Sequence, residues 1–329
     1  MTYLNVEEVE SAIVNLSAKY QNLSRLVTLL KPTIEGRICH ALNIGREMGS
    51  KNTVFFTGGV HAREWGSSEI CVYFAPCVNP DGRHYSQTSH PLWRRNRNPS
   101  ESGGNPNCLG VDINRNYDFL WDFHKHFSPK SKVYTSSNPC DQDQVYRGSA
   151  PFSEPETQNV KWLFDNSPMI KWYIDIHSYG EDILYSWGDD ENQSDNPSMN
   201  FIDPLYNSKR GVEYEKPYKE YIPNADLVTA EALANSIRDG IEAVRGKKYA
   251  VKPGFHLYPT SGAGDDYAYS RHFSNPSNNK VLAFTLEWGE HHESSEETSF
   301  HPKWEEMKDV VIDVTTGLLE FCSTVARNT

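Results

Sequence analysis

TVFFTGGVHAREWGSSE, residues 53–69, opens on an apolar run and passes at once to a histidine and a glutamate three positions apart. The run TVFFTGG (53–59) is almost continuously apolar rather than alternating, which predicts a strand buried on both faces. RICHALNIG (37–45), WYIDIH (172–177), DILYSWG (182–188) and VLAFTLEWG (281–289) read as further strands. Helical patterns separate them. Asn5 and Glu8 form a capping box ahead of Val9, Ile13, Leu16 and Tyr20. Ser153 and Glu156 suggest a second one, ahead of Val160, Leu163 and Phe164. Leu227, Ala230, Leu233, Ala234, Ile237, Ile241 and Val244 mark an amphipathic helix that Gly246 can close. Trp304, Met307, Val310, Val311, Val314 and Leu318 mark a last one. Residues 80–152, rich in Pro, Asn, Gly and Ser, read as long loops, which in a compact domain are usually functional. Strands alternating with helices predict an α/β fold: a single domain over 1–329 with a mixed, mostly parallel twisted sheet flanked by helices.

Of 329 residues 37% are hydrophobic and 23% charged, enough apolar material for a substantial core. The net charge is −12, with no run of five like charges, so no nucleic-acid partner is expected. No apolar stretch reaches the roughly 18–20 residues of a membrane span, and no membrane partner is expected. The N-terminus lacks the basic start and apolar centre of a signal peptide. Six cysteines are too few for a disulfide scaffold at this length.

The chemistry-bearing residues share a location. His61 follows one strand, His177 ends another and Glu287 lies near the end of a third. Open α/β sheets bind ligands beyond the carboxyl ends of their strands. His61 and Glu64 are close enough in sequence to hold one metal ion, with His177 arriving from far along the chain; three protein ligands and one open position is the arrangement of catalytic zinc. Taken alone, His-x-x-Glu equally fits two surface residues on one helical face, and His177 a buried core histidine.

The surrounding sequence bears on that choice. HAREW, NPDGRHYS, LWRRNR, GVDINRNYD, SEPET, DIHSY, YPTSGAGDDYAY and TLEWG follow one another in the order found in the M14 zinc carboxypeptidases, which the chain resembles from about Tyr3 to about residue 320. The resemblance implies a zinc-dependent exopeptidase, a protease of the carboxypeptidase class, with one Zn2+ per chain. Its metal ligands are His61, Glu64 and His177, with Asp112 as the carboxylate orienting the first histidine. Glu287 matches the general base and Arg94 the cation that stabilises the oxyanion. Asn114 and Arg115 match the pair gripping the substrate's terminal carboxylate, the guanidinium in a two-pronged fit. Tyr258 matches a tyrosine that closes over the bound end, and Arg63 a contact further along the peptide. Asp265 falls where the family places its specificity residue. An aspartate there implies release of C-terminal Lys or Arg, with mixed specificity or a solvated Gly/Asp turn as alternatives. Gly188 leaves that pocket roomy. Cys108 and Cys140 match a family disulfide, which points to an extracellular location; the missing signal peptide points to the cytoplasm. The expected partners are peptide or protein C-termini, with the chain a monomer and no inhibitory pro-domain.

The chain departs from the pattern between Glu64 and Asn79. About 20 residues, a few helical turns and a strand, are missing there, placing the gap between residues 75 and 78. Two rival readings follow. One is a catalytically impaired zinc- or peptide-binding homologue. The other is a relative acting on amide links of cell-wall peptides, which the complete Asn114–Arg115 pair and Asp265 disfavour.

Overall fold

The computed structural model describes residues 3–45, 52–71, 77–212, 218–293 and 295–327. In chain order its elements are α1 (Val6–Lys19), β1 (Ser24–Thr28), β2 (His40–Ile44), β3 (Thr53–Gly58), α2 (Trp65–Cys71), α3 (Pro80–Thr88), α4 (Phe123–His126), α5 (Pro155–Asn166), β4 (Ile170–Ser178), β5 (Asp182–Tyr185), β6 (Asn192–Gln193), β7 (Glu220–Tyr221), α6 (Asn224–Arg245), β8 (Ala250–Pro253), α7 (Gly264–Ser274), β9 (Leu282–Trp288), α8 (Glu296–Phe300) and α9 (Trp304–Arg327).

The main sheet has five strands in the order β3-β4-β9-β5-β8. β3, β4 and β9 run parallel, β5 runs antiparallel to β9, and β8 runs parallel to β5. β1 and β2 pair separately as an antiparallel hairpin. Two-residue periodicity sorts the central strands into two faces. Ile174, Ile176, Phe284, Leu286 and Trp288 pack into a core against α2, α6 and α9. Tyr173 and Ala283 pack on the opposite face against α5 and α7. Asp175, His177, Thr285 and Glu287 share the parity of that second face, so polar chemistry continues the α7 side where the strands end. Full burial of side chains such as Trp288 and Phe284 contributes about 1.5–3 kcal/mol each.

α6 and α9 approach closely because glycines meet at the crossing. A Cβ on Gly317 would sit 2.8 Å from the Ile237 carbonyl oxygen, and one on Gly240 would sit 2.9 Å from the Gly317 Cα. Gly317→Val is therefore expected to cost about 1–3 kcal/mol through overpacking, read as a lowered Tm in thermal unfolding. An unchanged Tm would mean that the two helices can separate freely.

Several expectations are corrected. TVFFTGG is not buried throughout: Thr53, Val54 and Phe55 are half-buried, because β3 ends the strand order and, among the described residues, meets only an isolated bridge from Gly58 to Cys77 on its far side. The capping box at Asn5 and Glu8 forms, but the one at Ser153 and Glu156 does not. Pro155 occupies the first turn of α5 and Glu154 precedes it without a side-chain cap. The Ser153 hydroxyl donates to Glu154, while Glu156 turns inward to accept from the Asn96 amide. Residues 80–152 are not loops alone: α3 starts at Pro80, with the Asn79 side chain accepting from the Gly82 N–H. The gap expected between 75 and 78 falls partly on residues 72–76, outside the described residues. Beyond it the Val78 N–H donates to the Gly58 carbonyl at 3.0 Å, so the chain resumes beside the end of β3. Gly246 closes α6 in the left-handed conformation, with φ of 76°.

Candidate metal centre and substrate cleft

His61 leaves the end of β3 and Glu64 follows within one turn, its N–H donating to the His61 carbonyl at 3.2 Å. His177 lies near the end of β4, where its register partner on β9 is Glu287. One ligand atom from each of His61, Glu64 and His177 lies within 4.8 Å of the others, and all three residues are buried. The two Nδ1 atoms face each other at 3.0 Å. Glu64 closes the group, with Oε1 at 2.6 Å from His61 Nδ1 and Oε2 at 3.0 Å from His177 Nδ1.

The outer nitrogens are also held. Asp112 Oδ1 stands 3.2 Å from His61 Nε2, and Asp175 Oδ2 stands 2.8 Å from His177 Nε2. A carboxylate accepts, so each favours a proton on Nε2 and leaves the Nδ1 lone pair directed inward. Two inward lone pairs and a carboxylate in a buried group fit a divalent cation. The donor set of two histidines and one glutamate suits zinc.

Protons compete for the same place. Burial opposes charge on His177, but Asp175 and Glu64 outweigh it and hold its pKa well above the ordinary value. Burial and then Arg94 hold His61 below its ordinary value. Zinc must displace the His177 proton, so its affinity is expected to fall about tenfold per unit of acidification where that proton is bound. Competition with a chromophoric chelator between pH 5 and pH 8 reads this directly. A pH-independent affinity would show that the proton is not displaced.

Around these ligands opens a cleft of about 300 Å³, and His61, Arg63, Glu64, Arg94, Asn114, Arg115, Tyr258, Asp265 and Glu287 all line it. Glu287 Oε2 and Arg94 Nη2 are buried atoms without a hydrogen-bond partner among the described residues. Such groups are rare in a finished core and common where a ligand completes them. Burial, with Glu64 and Asp182 nearby, raises Glu287 to about 8 against the opposing pull of His177 and Arg94. Arg94 Nε donates to Asp112 Oδ2 at 2.9 Å. Asp112 also accepts from the Asn114 N–H at 2.9 Å, so it caps a turn as well as backing His61. Burial raises the Asp112 pKa, but Arg94 and His61 outweigh it and leave the carboxyl well below its ordinary range.

Asn114 Oδ1 accepts from the Gly264 N–H at 2.8 Å, which turns the amide NH2 away from that bond. Arg115 differs from the expected two-pronged fork. Its Nε and Nη1 donate to the Tyr134 and Asn114 carbonyls, leaving Nη2 outside both bonds. The Tyr258 ring lies 4.9 Å from that of Tyr134. The Arg63 guanidinium rests 4.2 Å from the Phe300 ring centre and 3.6 Å from Glu296 Oε1. Asp265 lies in the first turn of α7 rather than in a solvated turn; it accepts from Thr285 Oγ1 and from the Asp266 N–H, both at 2.9 Å. Gly188 lines the same cleft. A Cβ there would sit 2.7 Å from Thr260 Oγ1 and 2.9 Å from Asp266 Oδ2, so a side chain would shrink this end. Cys108 and Cys140 are disulfide-bonded.

Sequence reasoning missed Asp175, Thr285, Tyr179, Phe300 and Glu296. Asp175 was legible: two positions before His177 on a strand, it must share that residue's face. Tyr179 and Phe300, whose rings lie 4.9 Å apart, meet only through the tertiary fold.

The family described as zinc carboxypeptidase matches residues 9–76 and 70–311, two stretches that overlap beside the short Glu64–Asn79 link. A carboxypeptidase B of the crayfish Astacus astacus is 30% identical over 291 residues, covering 81% of this chain and 82% of that protein. Human carboxypeptidase B is 28% identical over 271 residues, covering 74% of this chain and 54% of that protein. Bovine thrombin-activatable fibrinolysis inhibitor, solved with a tick carboxypeptidase inhibitor, superposes with a TM-score of 0.72 at 22% identity, covering 99% of this chain and 98% of that one. Carboxypeptidase A of Helicoverpa armigera gives a TM-score of 0.74 at 20% identity, covering 99% and 74%. At such identities the structural likenesses speak to the fold, whereas the family match extends along most of the sequence. The chain belongs to the zinc carboxypeptidase family and is a metallocarboxypeptidase.

Proposed function

We propose that this chain works as a single domain with one zinc ion and removes one C-terminal Lys or Arg at a time from peptides or proteins. The observation that carries the basic preference is Asp265, placed in the wall of the same cleft as Glu287 and the Asn114–Arg115 pair. A carboxylate there gains from a cationic guest and is left unpaired by an apolar one.

Zinc held by His61, Glu64 and His177 would polarise the scissile carbonyl and make water a better nucleophile. The protein's own groups do the rest. The Asn114 amide and the remaining N–H groups of Arg115 hold the terminal carboxylate, which restricts cleavage to the last peptide bond. Tyr258 covers that end. The unpartnered Arg94 Nη2 faces charge developing on the carbonyl oxygen. Glu287 takes a proton from the attacking water and returns it to the leaving amine as the C–N bond breaks.

Mixed specificity is the second reading, favoured by Leu184, Leu257 and Ala263 lining the same cleft. The impaired-homologue reading is opposed by Glu287 and Arg94, which a binding protein does not need. The Cys108–Cys140 disulfide supports work outside the cell. Among the described residues no helix is long and apolar enough to cross a membrane.

The test is mass spectrometry of peptides that differ only in a last residue of Arg, Lys, Phe or Leu, incubated with zinc-loaded protein, with a chelator control. Chelator-sensitive loss of one Arg or Lys is expected. Preferential release of Phe or Leu would overturn the specificity. No release by folded, zinc-loaded protein would favour the impaired homologue.

A further inference from the structure

Behind Asp265 lies a set of acids that the reaction does not use. Asp266 is buried and accepts from the Gly188 N–H with both oxygens, at 3.0 and 3.2 Å. Asp189, next to Gly188 in the chain, is fully buried; neither of its oxygens makes a hydrogen bond of good geometry among the described residues, although the Glu220 carboxyl and the Asp189 and Asp190 N–H groups lie near enough to lower its pKa. The nearest cation is Arg210, with Nε 3.5 Å from Asp189 and 3.7 Å from the buried Glu220. Arg210 spends its Nη groups on the Tyr206 and Asn200 carbonyls and the Tyr218 hydroxyl.

Three buried carboxyls, Asp266, Asp189 and Glu220, thus stand behind the half-buried Asp265 with one guanidinium, that of Arg210, beside them. They cannot all be ionised when no substrate cation is present. Resting on the basic specificity argued above, we propose that Asp266 and Asp189 are specificity-determining residues behind Asp265, and that the carboxyl set holds a proton which an incoming Lys or Arg side chain replaces. The substrate's charge supplies the missing positive charge, and the carboxyl proton passes to solvent. No covalent bond changes. A neutral C-terminal residue releases no proton and gains nothing from the set.

The surroundings agree. Burial raises Asp265, opposed by its hydrogen bonds and by His177, and burial with Asp265 and Asp189 nearby raises Asp266, opposed by its hydrogen bonds. Burial also raises Asp189, to about 6, although Arg210 pulls it down. Glu220 is raised by burial and then by Asp189, with the Tyr218 hydroxyl and Arg210 opposing. The other groups facing the set are Asp175 and His177 from β4, which act on Asp265 in opposite directions. Asp190, raised mainly by burial and then by Asp189, is bonded to the Gly211 and Glu191 N–H groups.

The test uses two peptides identical except for a last residue of Arg or Leu, with kcat/KM measured on the zinc enzyme from pH 5 to pH 9. The ratio of the two values cancels ionisations that both substrates share, including those of Glu287 and the metal ligands. It is expected to rise with pH, by up to about tenfold per unit while one proton is lost, and then to level off. In Asp189→Asn, with one like charge removed, the rise should move to lower pH. A ratio that favours Arg equally at all pH values would overturn the proton linkage and leave the specificity standing. A wild-type rise left in place by Asp189→Asn would overturn the role of Asp189. Preference for Leu at every pH would overturn the specificity reading and this proposal together. The wild-type profile decides the linkage even if Asp189→Asn fails to fold.

Discussion

Glu287→Gln is expected to lower kcat by about a thousandfold, the middle of the range for loss of a positioned general acid–base. The change keeps the side chain's length and removes only its ability to exchange a proton. Zinc content should stay at the wild-type level, because the ligand atoms belong to His61, Glu64 and His177. KM should change little, because the proposed carboxylate and side-chain contacts of the substrate lie with Asn114, Arg115 and Asp265. Metal analysis alongside steady-state kinetics separates these quantities. A variant with full zinc and wild-type kcat would remove Glu287 from its role, whereas loss of zinc would recast it as a support for the ligands.

Asp265→Asn should produce the next largest effect, and only for basic substrates. Removing one partner of a buried ion pair typically costs about 3–5 kcal/mol, so kcat/KM for a C-terminal Arg should fall by at least about a hundredfold. Release of a C-terminal Leu should be unchanged or faster, since the substitution removes a carboxylate that an apolar side chain would leave unpaired. The Asp266 N–H can keep donating to the amide oxygen of the substituted side chain, and the Thr285 hydroxyl can turn to accept from its NH2, so α7 should keep its start. Equal losses for Arg and Leu would mean that the residue supports the fold instead of choosing the substrate.

Local signals carried most of the architecture. Continuous apolar runs marked β3, β4 and β9, and helical spacing marked α1, α6 and α9, because each pattern reflects one element's own burial. α3 was hidden because Asn79-Pro80-Asp81-Gly82 reads as a turn, and the same residues serve equally well as a cap and first helical turn. Ser153 misled in the opposite direction: its spacing to Glu156 fits a cap, but Asn96 offers that glutamate a buried partner across the fold. The metal ligands and the cleft residues were placed by their resemblance to family motifs and not by their spacing. Spacing can show that His61 and Glu64 are near each other; it cannot show that two lone pairs converge. The acids behind Asp265 were beyond reach for a similar reason. Asp189, Glu220 and Asp266 come from three separated segments, and only the fold reveals how little positive charge is buried with them.

Asp112 meets His61 with one oxygen, Arg94 with the other, and the Asn114 N–H as well. The metal orientation, oxyanion stabilisation and carboxylate grip proposed for these residues would therefore share one anchor. Damage to these three functions is correlated, so an Asp112 variant would conceal most of what a second substitution at Arg94 or Asn114 does. In evolutionary terms the centre has little redundancy. A lineage could retire the enzyme through this one codon while keeping every metal ligand, and an intact ligand set in a descendant sequence would then be a poor guide to whether it still works.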